Sequence, residues 1–176
     1  MSQVTANVAG QCNVPISLFR EALGQLAAGV SIIATELDGD RRGVTATAVC
    51  SVTDAPGTIL VCINRNTGTG KMIADTKRFS VNVLGSHQEE VAMVFAGAGG
   101  VQGDERFAHG EWLVDRETGL PVLASALVNL ACEVSHVHST STHDVFFGEV
   151  VTASTRKADP LIYFRQAFCD AAPKAA

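Results

Sequence analysis

Charge is scarce in this chain. Asp, Glu, Lys and Arg make up 18% of its 176 residues, 13 basic against 18 acidic, for a net charge of −5. The longest basic runs are Arg41-Arg42 and Arg156-Lys157, too short to track a polyanion, which excludes a nucleic-acid partner. Long apolar runs are missing too: none reaches the roughly 18 residues that cross a bilayer, so no membrane partner is expected. The opening MSQVTANVAG has no charged n-region, so no signal peptide is expected. The five cysteines, Cys12, Cys50, Cys62, Cys132 and Cys169, are odd in number, scattered and free of any CxxC. That pattern implies a reducing compartment, the cytoplasm, and no disulfide frame.

Several catalytic motifs are absent as well. No Gly-x-Ser-x-Gly occurs, which removes support for a serine hydrolase. A P-loop needs Gly at position 65 and Ser or Thr at 72, where Arg65 and Met72 stand. The run Gly97–Gly103 fails as a dinucleotide fingerprint, because Gln102 takes the third glycine position and a helix rather than a strand precedes it; it reads as a mobile loop. His136, His138 and His143 lack a completing ligand at metal spacing apart from Asp144, so no metal centre is expected.

What is present is apolar and β-rich. Hydrophobic residues reach 47%, enough for one sizeable core. With so little charge, part of the surface is expected to be covered by a second copy. One domain is expected over 15–170, between flexible ends at 1–14 and 171–176. Leu18, Ala22, Leu23, Leu26 and Ala27 repeat at helical spacing behind Ser17 as a cap, with Gly29 as the stop. Strands are predicted at 29–36, 42–53, 58–64, 78–84, 111–115, 123–138 and 143–152, with a last apolar segment at 161–168. Short helices are predicted at 71–76 and 87–96, the second with Ser86 and Glu89 as a capping box. The strands follow one another instead of alternating with helices. The fold class is therefore mainly β, an antiparallel barrel with a few helices.

Two segments carry candidate chemistry. From Thr45 to Val52 the chain reads Thr-Ala-Thr-Ala-Val-Cys-Ser-Val. Such slim side chains let a flat ligand approach the backbone, whose N–H groups stabilise developing negative charge, and leave the Thr47 and Ser51 hydroxyls available for ligand oxygens. The same pattern also suits a plain strand with Thr on its wet face. The second segment, Asn64–Lys71, lies between a strand and a helix. Its cations Arg65 and Lys71, its hydroxyls and its helix-start N–H groups suit a phosphate, or else form an ordinary solvated loop. His143 opens a strand, as a donor to a cofactor or as a turn cap.

Taken together, GVTATAVCSVTDAP, TILVCINRNT, RFSVNVL, HQEEVAMVFAG, DERF, STHDVFFGEV and LIYFRQAF resemble, in order and spacing, the flavin-reductase-like, split-barrel FMN-binding family. The likeness covers about residues 17–168, and is strongest to reductase components of two-component aromatic hydroxylases. It implies a split β-barrel and a homodimer with flavin sites near the subunit interface. It also implies reduction of FMN or FAD by NADH, with NADPH left open because Arg41, Arg42 and Arg65 could receive a 2′-phosphate, and delivery of reduced flavin to a separate oxygenase. Carried over, Thr45, Ala46, Thr47, Ala48 and Val49 line the isoalloxazine, and Ser51 and Val52 follow toward the ribityl end. Arg65, Asn66, Thr67 and Lys71 hold the phosphate or adenosine side. Arg106 and Phe107 stand near the pocket, and His143 near the nicotinamide. A corrinoid-reducing relative is also similar, so flavin-dependent cob(II)yrinate reduction, or flavin binding without turnover, are the alternatives.

Overall fold

The computed structural model describes residues 14–171. Cys12 and all but Val14 and Ala171 of the expected loose ends lie outside them. The strands are β1 (Ala28–Gly29), β2 (Ser31–Leu37), β3 (Asp40–Ala46), β4 (Val49–Asp54), β5 (Gly57–Asn64), β6 (Arg78–Val83), β7 (Trp112–Val114), β8 (Pro121–Leu123), β9 (Val128–Ser139), β10 (His143–Thr155), β11 (Leu161–Phe164) and β12 (Ala167–Asp170). The helices are α1 (Ile16–Gly24), α2 (Gly68–Thr76) and α3 (Glu89–Phe95).

Seven strands form one antiparallel sheet in the order β3-β2-β6-β9-β10-β5-β4. Its two outer strands, β3 and β4, are consecutive in the chain and separated only by Thr47 and Ala48. Three Cα–Cα steps of about 3.8 Å cannot span more than roughly 11 Å, so the sheet must curl until its edges meet. The result is a barrel with a seam at residues 47 and 48. Smaller sheets, β1-β11-β12 and β7-β8, pack outside it.

Two clusters fill the protein. Ile33, Val61, Ile73, Phe79, Val81, Cys132 and Phe146 belong to one. Ile32, Ala34, Leu84, Phe95, Phe107 and Leu123 belong to the other, with Trp112 against them. Alternate residues of β2 thus feed different clusters, as a strand buried on both faces requires. Gly148 is a fixed feature of the first cluster, since a Cβ there would lie 2.6 Å from Phe79 and 2.9 Å from Cys132. Burial pushes the Cys132 thiol up to about 12, so it stays protonated and inert.

The structure corrects several boundaries. The expected strand 42–53 is two strands broken at Thr47-Ala48, because the chain turns there from one barrel edge to the other. The expected strand 123–138 is likewise split between β8 and β9. The segment 161–168 is a hairpin turning at Arg165 and Gln166, both at positive φ. The helix at 71–76 begins three residues earlier, at Gly68, because Thr67 caps it. Ser17 lies inside α1, which follows Pro15 and ends at Gly24, not Gly29. Ser86 does not cap α3; the Gln88 side chain instead accepts the Gly85 N–H at 2.8 Å.

Candidate functional site

At the barrel seam the backbone has unspent hydrogen-bonding capacity. The Thr47 carbonyl accepts the Val49 N–H, and the Ala48 carbonyl accepts that of Cys62. The Thr47 and Ala48 N–H groups donate to no protein acceptor among the described residues, and both residues are exposed. Such donors need water or a ligand. Both residues help to wall a cavity of about 390 Å³, together with Val44–Ala46, with Cys62, Ile63 and Asn64 of β5, with Thr67 and with His143.

A second, wider cavity of about 630 Å³ shares Val44 and Thr67 with the first, so the two are halves of one groove along β3. Arg42, Gly43, the start of α2, the end of α3 and the loop from Gly97 to Arg106 line it. Gly43 belongs to this wall because a Cβ there would meet the Phe95 ring at 2.5 Å. Phe95, Phe107 and Trp112 form an aromatic stack behind it, with centroids 4.8–5.3 Å apart.

The expected mobile loop is instead tied down. Arg106 donates through Nε to the Val101 carbonyl at 3.0 Å, and through Nη1 to those of Gly43 and Phe95 at 3.1 Å. Asp104 takes two bonds from Arg41, at 2.6 and 3.0 Å. That pairing, chiefly the side-chain hydrogen bond, holds the Asp104 carboxyl below and the Arg41 guanidinium above its ordinary value.

The structure brings Thr45, Ala46, Thr47, Ala48, Thr67 and His143 together in the narrow half, and Thr67 and Arg106 in the wide half. The Thr45 hydroxyl is spent on the Ala92 carbonyl at 2.6 Å. The Thr67 hydroxyl donates to the Asn64 carbonyl and accepts the Gly70 N–H. His143 sits opposite Asn64 in the β10–β5 ladder, with Nδ1 2.8 Å from the Thr142 hydroxyl.

The other expected residues stand off the groove walls. Val49 packs against the barrel cluster, and Ser51 and Val52 lie exposed on edge strand β4. Phe107 is 4% exposed and supports the wall from behind. Lys71 and Asn66 are exposed, and the Asn66 N–H is held by the Asn64 side chain. Arg65 turns toward the β9–β10 turn, where it meets Asp144. Sequence reasoning missed Cys62 and the glycine loop as lining; Asn64, read as part of the phosphate segment, and Arg42, read as a possible 2′-phosphate contact, line the narrow and the wide half respectively. Two signals pointed to them: Cys62 stands two positions before Asn64 on the same predicted strand and so shares its face, and the loop's glycines admit close approach.

Comparison with known proteins identifies relatives of the chain. A family model, flavin reductase like domain, matches residues 23–172. The chain is 46% identical over 147 residues to FMN reductase (NADH) RutF of Pseudomonas syringae pv. syringae, covering 83% of this chain and 81% of that protein. It is 42% identical over 153 residues to the 4-hydroxyphenylacetate 3-monooxygenase reductase component of Pseudomonas aeruginosa, covering 85% and 88%. Its fold matches the solved structure of Streptomyces globisporus C-1027 NADH:FAD oxidoreductase SgcE6 in complex with NAD and FAD fragments, with TM-score 0.84 and 26% identity, over 92% of this chain and 95% of that one. With most of its length covered by that family model, the chain belongs to the flavin reductase like domain family.

Proposed function

We propose that this chain is an NADH:flavin oxidoreductase that reduces FMN or FAD and hands the reduced flavin to a separate oxygenase. The observation that carries the reading is the pair of unspent N–H groups at Thr47 and Ala48, in a slim Thr/Ala segment that walls the same cavity as His143. Flavin, when bound, supplies the acceptor for the hydride that NADH gives up. The Thr45–Ala48 segment would hold the flavin, and its unspent Thr47 and Ala48 N–H donors would stabilise the negative charge that gathers on reduction. His143, in the same cavity wall, would orient NADH. The wide half takes the remainder of a dinucleotide; both halves fall within the about 300–1,000 Å³ of small-molecule sites.

NADH is favoured over NADPH because the cations are already engaged. Arg41 is held by Asp104, Arg65 by Asp144, and Arg42, the one of the three in the groove wall, by Asp40. The relative that is a monooxygenase reductase component supports an oxygenase partner. The active unit is a homodimer. In support, α1 buries none of its residues and leaves Ile16, Leu18, Phe19 and Leu23 each at least 47% exposed. The protein acts in the cytoplasm, which suits the four free cysteines among the described residues. No helix of the described residues is long and apolar enough to cross a membrane.

Steady-state oxidation of NADH and NADPH with FMN and with FAD tests the reading. Flavin-dependent NADH oxidation, with NADPH at least about tenfold poorer in kcat/KM, is expected. Flavin binding without turnover would overturn it.

A further inference from the structure

The guanidinium of Arg65 stands where a phosphate ligand was expected, yet its contacts run elsewhere. Nη1 donates to the Thr140 carbonyl at 3.2 Å, and Nη2 lies 3.2 Å from Asp144 Oδ1. Its backbone N–H donates to the Thr142 carbonyl at 3.1 Å. One residue thus grips Thr140, Thr142 and Asp144, which bracket His143 on both sides. Asp144 is 7% exposed, and its Oδ1 accepts no aligned hydrogen bond, so Arg65 is the charge that compensates it.

Among the described residues, the turn is otherwise held by the strand ladders at its ends and by local bonds. The Thr140 hydroxyl and N–H both donate to the His143 carbonyl, and the His143 N–H returns to the Thr140 hydroxyl. These fix the turn's internal shape but do not tie it to the barrel. Beyond the β10–β5 ladder, Arg65 is the side chain that does. His143 is exposed and projects from the end of this turn into the narrow half of the groove.

We propose that Arg65 is a positioning residue, which through Asp144 and the Thr140 carbonyl sets where the His143 imidazole stands, and is not an anion ligand. The claim rests on the reading of His143 given above. A fork of two donors is required, because the carbonyl and the carboxylate are addressed by different nitrogens. Lysine, with one compact ammonium, can serve one partner or the other.

The test uses the full-length protein and the variants Arg65→Ala, Arg65→Lys, Arg65→Ala/Asp144→Asn and His143→Ala. The double variant removes the uncompensated buried charge and so keeps the fold if Arg65→Ala alone does not. KM for NADH is expected to rise about tenfold in Arg65→Ala or the double variant and less in Arg65→Lys, with flavin affinity within about twofold of the parent. Adding Arg65→Ala to His143→Ala should cost nothing more. The His143 imidazole resonance of the flavin-free protein should shift in Arg65→Ala. Weakened flavin binding with an unchanged KM for NADH would overturn the proposal and restore Arg65 as an anion ligand. If His143→Ala itself leaves KM unchanged, the role of His143 fails. The resonance then decides for Arg65: a shift supports the positioning role, and an unmoved signal ends it.

Discussion

The narrow and wide halves of the groove are built from different material. The narrow half is made of regular structure: two strand ends, a two-residue seam and a histidine in a ladder register. The wide half adds loop and helix ends to one stretch of β3, and owes its shape to Arg106 and the Arg41–Asp104 pair. A site on strands is positioned by the barrel and inherits its rigidity. A site on a loop depends on a few polar contacts, each replaceable by water. The narrow half should therefore hold what must be placed accurately, the reacting rings. The wide half should tolerate variation and set which nucleotide is accepted.

The largest separation of the two halves comes from filling one at a time. Ala48→Trp places an indole in the narrow half from an exposed position, so the fold should survive. FMN affinity should fall by about a hundredfold or more in a fluorescence titration, with the melting temperature unchanged. Unaltered affinity would show that the ring lies elsewhere. Ala96→Trp fills the wide half from an exposed residue of ordinary right-handed backbone. It should raise KM for NADH by about tenfold and leave FMN affinity unchanged. Equal losses in both variants would erase the division.

The smallest effect concerns the tether of the loop. Arg41 lowers the Asp104 carboxyl in the folded protein, so the pair stabilises above the ordinary carboxylate value and loses that contribution as pH falls through the lowered one. Both partners are partly exposed, so the contribution is at most about 1 kcal/mol. The melting temperature of Asp104→Asn should lie slightly below the parent at pH 7 and converge with it in acid. A gap that persists in acid would assign the tether to something other than this charge pair.

The same contrast explains what was legible in the sequence. That Thr45–Ala48 and His143 share one cavity wall was legible because strands keep their side-chain order in space, so a residue pattern maps directly onto a wall. The barrel followed from strands succeeding one another without intervening helices. The break at Thr47-Ala48 was not visible, since nothing local distinguishes it from a continuing strand; closure of the sheet imposes it. The glycine loop was read as mobile because its anchors, Gly43 and Arg41, lie more than fifty positions earlier in the chain. Arg65 was assigned to a phosphate from its neighbours in sequence, whereas its partners come from the turn after β9 and the start of β10. The exposure of Ser51 and Val52 on β4 follows from that strand's place at the sheet edge, which composition does not reveal.

A crystal structure of the protein with oxidised FMN tests the central claim most directly. The isoalloxazine should lie along Thr45–Ala48, accept hydrogen bonds from the Thr47 and Ala48 N–H groups, and present a face toward His143. A ring bound in any other place, with those two N–H groups still facing water, would contradict it.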